Sequence, residues 1–205
     1  MENVKTKMTH RQRQALATQT LIVETACRLF VEHGYHATTI EMIAAEAGVA
    51  VSTIYAVFRN KRGILQAMRE MWHQESGQRD IYAQAREASD PQKRLALAVH
   101  ATRRQWETGA ALTRIYSAAA SADSEAAAEL AVALEGRRKN LTAFIEEMAP
   151  HLRPELGADH LAEIFYALTL PEIYDTLVRQ RGWTPDAYEV WLSALLCQQL
   201  LPPTL

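Results

Sequence analysis

Almost every stretch of this chain repeats its apolar residues every three to four positions, and no stretch alternates apolar and polar as a half-buried strand does. Ile22, Ala26, Leu29 and Phe30 fall on one face of a helix, and Gly34 follows where a helix end favours a residue free to take positive φ. The same period recurs in Ile40, Ile43, Ala44 and Ala47, in Val51, Ile54, Tyr55 and Phe58, and in Ile64, Leu65, Met68 and Trp72. Asp90-Pro91 opens a fifth helix through Leu95, Ala98, Val99, Thr102 and Trp106, with proline in the first turn, where its missing N–H costs nothing. After Gly109 comes a short helix. A long one follows over about 124–149, with Leu134, Leu141 and Met148 spaced by seven, and Pro150 and Pro154 end it. An eighth spans about 158–180, with a kink or short break expected at Pro171, where the ring meets the carbonyl of Ala167; two helices jointed at Leu170 is the other form of the same expectation. Thr184-Pro185 starts the last helix. The pattern predicts an all-α protein of about nine helices, the first three short and tightly connected.

Composition excludes several classes. Among 205 residues, 48% are hydrophobic and 22% charged, which suits a folded globular protein rather than a disordered one. No apolar run approaches the roughly 18 residues of a membrane span. The N-terminal MENVKTKMTHRQRQ is polar and basic, without a secretory pattern, and Cys27 and Cys197 have no redox or metal spacing. A cytoplasmic location with free thiols is expected. Residues 1–70 carry 9 Lys and Arg against 6 Asp and Glu, a net of +3; the remainder carries 13 against 18, a net of -5. A basic head on an acidic body suits a polyanion at one end only.

The segment from Thr38 to Val57 holds the chemistry. Thr38-Thr39-Ile40-Glu41 has the form of a Thr-x-x-Glu capping box. A short helix to Ala47, a turn at Gly48, Val49 in the joint and a second short helix from Val51 or Ser52 to about Val57 make the pattern of a helix-turn-helix. The second helix of such a unit enters the major groove with its N-terminal residues at the base edges. Ser52 and Thr53 supply hydroxyls there, and Val51 could meet a thymine methyl. Arg59, Lys61 and Arg62 follow the helix, where cations grip the backbone.

The run TTIEMIAAEAGVAVSTIYAVFRNKRGIL resembles the DNA-binding head of the TetR family, through Gly34, Thr38-Thr39, Ile43-Ala44, Ala47-Gly48-Val49, Ser52, Tyr55, Phe58, Lys61 and Leu65. The resemblance covers about 18–70; beyond it the chain is similar only in layout. It implies that Thr38 and Thr39 lie at the DNA end of the second helix, with Thr39 touching a phosphate. It also implies that Ser52 and Thr53 face the groove, that Tyr55 offers its hydroxyl to a phosphate while its ring packs inward, and that Lys61 contacts the backbone. Two positions depart from the pattern: Thr53 stands where many members have glycine, and Val57 where many have an aromatic or histidine that holds another phosphate. Arg59, or the arm bearing Lys5, Lys7, Arg11 and Arg13, could replace that contact. The division implied is a basic arm over 1–14, a helix-turn-helix domain over 15–70 and a helical effector-binding and dimerisation domain over 71–205.

The resemblance further implies a homodimer on palindromic double-stranded DNA, joined through its last two helices by Leu161, Phe165, Leu168, Trp191, Leu192, Leu195, Leu196 and Gln199. These residues could equally face their own subunit's core. It also implies a small-molecule effector, with Trp72, His100, Arg103, Trp106, Tyr116, Phe144, Phe165 and Tyr166 as candidate linings. No metal or cofactor is expected: His33-x-x-His36 lacks partners at ligand spacing, and no Gly-rich phosphate loop or nucleophile motif occurs. Catalysis is therefore not expected. A helical module for protein partners stays open as an alternative, resting on Val57.

Overall fold

The computed structural model describes residues 9–203, and every regular element in it is helical. The elements are α1 (His10–His33), α2 (Ile40–Ala47), α3 (Val51–Phe58), α4 (Lys61–Ser76), α5 (Gln78–Glu87) and α6 (Pro91–Thr108). They continue with α7 (Ala110–Ala122), α8 (Ser124–Glu146), a 3-10 turn (Ala149–His151), α9 (Ala158–Leu168), α10 (Pro171–Tyr174), a π segment (Asp175–Gln180) and α11 (Pro185–Leu200). Two α-helices exceed the expected number. Gly77, at φ 64°, ends α4 and lets α5 start as a separate helix. At Pro171 the jointed form holds: Leu170 is extended and Pro171 opens a new helix.

The chain forms two compact units, one of residues up to Glu70 with Ala111–Ala128, the other of Met71–Ala110 with Glu129–Leu205. Residues 111–128 thus group with the first unit rather than with the segments that flank them.

In the first unit, α1 starts on a reciprocal cap. Thr9 Oγ1 accepts from Gln12 N at 3.2 Å, and the Gln12 side chain accepts from Thr9 N at 2.8 Å. Arg11 and Arg13 of the expected arm lie in α1, while Lys5 and Lys7 are outside the described residues. Ile22, Ala26, Ile43, Ile54 and Leu65 are buried to 2% exposure or less and form the core that binds α1 to α4. Burying each large apolar side chain contributes roughly 1.5–3 kcal/mol. Gly48, at φ 66°, turns the chain through 113° between α2 and α3, and its N–H caps the carbonyls of Ala44 and Ala45.

The turn from α3 to α4 is tighter still. Arg59 adopts φ 66°, and among the described residues it is the one non-glycine with positive φ. Asn60 Oδ1 accepts from Gly63 N at 2.9 Å and starts α4. A Cβ at Gly63 would lie 1.9 Å from the Phe58 carbonyl oxygen, so only glycine fits without moving α3.

In the second unit, α6 packs against α5, α10 and α11, and α9 packs on α11. Asp90 caps α6 by accepting from Gln92 N and Lys93 N. The interior is Leu95, Val99, Phe144, Ile145, Met148, Leu161, Phe165, Tyr188, Leu192, Leu196 and Leu200, all buried. Of the leucines spaced by seven in α8, Leu141 is buried and Leu134 is 43% exposed. Among the described residues no single helix is long and apolar enough to cross a membrane.

The Gly63 contact makes a prediction. Gly63→Ala should destabilise the protein by about 1–3 kcal/mol through overpacking against backbone. At this chain length that is a fall of several degrees in Tm by calorimetry. An unchanged Tm would show that the α3–α4 turn opens freely.

Candidate functional site

The DNA-facing expectation divides by burial. Thr38 was expected at the interface, but it is fully buried. Its hydroxyl donates inward, to the Gly34 carbonyl at 2.8 Å and the Leu29 carbonyl at 3.2 Å. The cap of α2 therefore sits one residue later than the capping-box pattern predicts. Thr39 is the N-cap: its Oγ1 accepts from Met42 N at 3.2 Å, and Met42 at the third position cannot reciprocate as Glu41 was expected to do. Thr39 is exposed, so its hydroxyl hydrogen remains available to an acceptor outside.

Helix α3 presents the rest. Its N-cap, Ala50, offers no side-chain bond, so the first N–H groups of the helix face outward with the positive end of its dipole. Ser52 is exposed, while Val51 and Thr53 are half-buried. Tyr55 is 47% exposed, where an inward ring was expected. Ile54 and Phe58 carry the buried side of α3 instead. Val57 and Met42 are also exposed. Arg59 is exposed at the end of the helix.

Lys61 has a role that sequence reasoning missed. Its ammonium donates to the carbonyls of Tyr35 at 2.7 Å, Thr38 at 3.0 Å and His36 at 3.4 Å, and it lies 4.3 Å from the centroid of the Tyr35 ring. All three donors of the ammonium are spent inside the head. The residue therefore acts as a clamp on the turn into α2 rather than as a phosphate grip. Burial lowers its pKa from the ordinary lysine value, and the nearby charge of Asp123 opposes that shift. Tyr35 itself is 4% exposed and packs on Phe30 at 5.0 Å between centroids. Burial pushes its hydroxyl from 10.0 up to about 12. The signal for this clamp is the spacing of Tyr35 behind Gly34, which in sequence has the look of a loop. Outside the turn, Arg28 of α1 pairs with Glu46 of α2 at 2.6 Å, an exposed contact of small energetic weight.

The body candidates also divide. Trp72 and Trp106 stack with centroids 6.1 Å apart; Trp72 Nε1 donates to the Gln105 carbonyl and Trp106 Nε1 to the Thr169 carbonyl. Phe144 and Phe165 are fully buried against each other, and Tyr166 is half-buried. His100 and Arg103, offered as polar handles for an effector, lie elsewhere, in an open groove with Asp186, Glu189 and Ser193. Arg103 meets Glu189 at 2.9 Å and Glu107 at 3.7 Å, and His100 Nδ1 meets Glu189 at 3.1 Å. With those carboxylates beside them, neither is a free cation for an anion. Tyr116 is buried in the first unit, where its hydroxyl donates to the Leu65 carbonyl at 2.9 Å.

Of the dimer candidates, Leu161, Phe165, Leu192 and Leu196 are buried to 1% or less within their own unit. Helix period alone could not separate core from interface at these positions. Leu168, Trp191, Leu195 and Gln199 keep partial exposure. Val190, not expected from the pattern, is 71% exposed on α11. Among the described residues there is no group of three or more His, Cys, Asp or Glu that could hold a metal ion.

Two short helices set at 113° about a left-handed glycine, with the hydroxyl-bearing start of the second exposed, define the first unit as a helix-turn-helix head. Residues 22–68 match the bacterial regulatory proteins of the tetR family, so the head of this chain is similar to theirs. The "Fatty acid metabolism regulator protein" of Bacillus subtilis (strain 168) is 46% identical over 44 residues, 22% of this chain and 23% of that protein. The chain matches only about a quarter of the length of such curated relatives. Solved structures extend the likeness to the body as fold alone. The fatty acid degradation regulator FadR from Bacillus halodurans has TM-score 0.69 and 22% identity, covering 87% of this chain and 94% of its own. The SmeT–triclosan complex, SmeT being a multidrug efflux pump repressor of Stenotrophomonas maltophilia, has TM-score 0.72 and 19% identity, covering 91% and 92%.

Two outcomes follow from the clamp. Lys61→Met strands three carbonyls, so it should cost about 1–3 kcal/mol and speed amide exchange in the first turn of α2, read by hydrogen exchange. Unchanged exchange there would sink the clamp. Tyr35 has its folded pKa above the unfolded value of 10.0, so its contribution is complete below pH 10 and is lost as pH rises towards about 12. The stability difference between the wild type and Tyr35→Phe should shrink by up to about 3 kcal/mol across that window in urea titrations.

Proposed function

We propose that this protein is a ligand-responsive transcriptional regulator, a repressor that binds a palindromic operator as a homodimer and leaves it when a small molecule enters the body. The carrying observation is the exposed start of α3, where Ser52 and Thr53 flank uncapped helix N–H groups and Tyr55 stands free of the core. An α-helix fits the major groove, and short hydroxyls with a valine methyl can read base edges there. Thr39 and Tyr55 supply neutral donors for phosphate oxygens, and Arg59 the cation. Lys61 acts at one remove, as a positioning residue that fixes the turn before Thr39.

Dimerisation gives the reading its geometry, since two recognition helices about 34–36 Å apart match successive turns of one DNA face. The partly exposed Leu168, Trp191, Leu195 and Gln199, with Val190, are the residues of the last helices left to make that contact. Release is a population shift: a ligand that prefers one body arrangement disfavours the spacing the operator needs. The neighbouring structures include a complex with triclosan, and other relatives are named for fatty acid metabolism, so small apolar ligands suit this fold. The activity proposed is binding without catalysis, and its place is the cytoplasm.

The test is fluorescence anisotropy on duplexes from the DNA flanking the gene, across a salt series. Affinity should fall steeply, with a log–log slope near -0.9 per phosphate neutralised. Arg59→Gln should reduce that slope by about one phosphate. Tyr55→Phe should weaken all duplexes alike by several-fold, whereas Thr53→Ala should reorder them. A flat salt response with weak binding would overturn the reading in favour of a protein-binding module.

A further inference from the structure

Within the second unit, Arg137 is a cation that meets no carboxylate among the described residues. Arg137 lies on the buried face of α8, in helical phase with Leu141 and Phe144. Its Nη2 donates to the Thr169 carbonyl at 2.7 Å and to Thr169 Oγ1 at 2.8 Å. Its guanidinium carbon sits 4.9 Å from the Tyr166 ring and 5.3 Å from the Trp106 ring. Its Nη1 is buried and has no hydrogen-bond partner among the described residues. The same is true of the hydroxyl of Tyr188, a fully buried residue whose ring stands 4.9 Å from Tyr174. Arg137 acts electrostatically on Tyr188: burial raises the Tyr188 hydroxyl, and the guanidinium charge opposes the rise.

Several other arginines of this unit make the contrast. Arg94 meets Glu147, Arg103 meets Glu189, Arg138 meets Glu163 and Arg179 meets Asp175. Arg137, half-buried, is in no ion pair among the described residues. Burial lowers its pKa, yet a guanidinium does not deprotonate in proteins, so the charge remains. Aromatic faces, the carbonyl and hydroxyl of Thr169 and a side-chain hydrogen bond with Tyr166 offset part of the cost of burying a cation, which amounts to several kcal/mol. They leave the buried Nη1 and the Tyr188 hydroxyl without acceptors among the described residues. The rings of Trp106 and Tyr166 wall the guanidinium, and Trp106, Phe144, Phe165 and Tyr188 share one buried core. Immediately after Tyr174 the chain winds as a π segment, a rare form that is frequent at functional sites.

We propose that the interior of this unit takes a small apolar ligand bearing one carboxylate, which accepts from Arg137 Nη1 and the Tyr188 hydroxyl. The proposal rests on the effector reading above and names its ligand class. One cation and one neutral hydroxyl match a monoanion; a phosphate dianion would need further donors. The aromatic wall matches a hydrocarbon or aryl body rather than a polar one.

The test is calorimetric titration of two matched pairs, decanoate against decanamide and indole-3-acetate against indole-3-acetamide, into the wild type, R137M and Y188F. At least one acid should bind the wild type ten-fold or more tighter than its amide. R137M should abolish that preference while still binding the amide, and Y188F should weaken the acid several-fold. If R137M fails to fold, as judged by circular dichroism, Y188F carries the test, since it removes one oxygen and no volume. Equal binding of acid and amide in the wild type for both pairs, absence of acid binding, or an acid preference untouched in both variants would overturn the proposal. The same ligands added to a protein–DNA complex separate the two readings. Acids that bind through Arg137 without changing DNA affinity would sink the effector role and leave the site. Amides that release DNA while acids stay inert would do the reverse.

Discussion

Short helices end often, and every end leaves backbone carbonyls that need donors. In this protein cationic side chains collect many of them. Lys61 takes three carbonyls of the turn into α2, which fixes where Thr39 starts that helix. In the body, Pro171 cannot continue α9, and Ile173 N turns to the Leu170 carbonyl. The Thr169 carbonyl is thereby freed, and Trp106 Nε1 and Arg137 Nη2 fill it. Arg179 closes the Trp106 carbonyl at 2.8 Å, and Arg153 closes those of Gln198 and Leu201.

The head and the body use the same device to different ends. In the head all donors of Lys61 are satisfied, so the clamp is structural and the surface it supports stays free for a partner. In the body one edge of Arg137 is left over. A buried donor without an acceptor is costly, which is the physical ground for reading that edge as a place for an anion.

Much of this architecture is legible in the amino-acid sequence. Helical period identifies α1 to α4 and α6, and Gly48 marks the turn correctly, because only glycine takes a left-handed conformation without strain. Sequence and structure part where two neighbouring residues offer the same chemistry. Thr38 and Thr39 are both good caps, and the buried carbonyls of Leu29 and Gly34 decide between them. In α8 Arg137 shares a helix face with Leu134 and Leu141, yet an arginine next to Arg138 and Lys139 reads as solvated surface. Its aromatic neighbours come from distant segments, so nothing local announces them.

The order of apolar, glycine and proline residues by itself determined an all-helical chain, its head, the turn at Gly48 and the break at Pro171, because these follow from local backbone sterics and period. Which threonine caps and which hides, whether Leu192 and Leu196 face their own core, and whether Lys61, Arg103 or Arg137 has charge to spare were decided only by the tertiary structure. Those outcomes depend on which carbonyls, carboxylates and rings arrive from far along the chain, and a cation's role is set by the partners it meets rather than by its position in sequence.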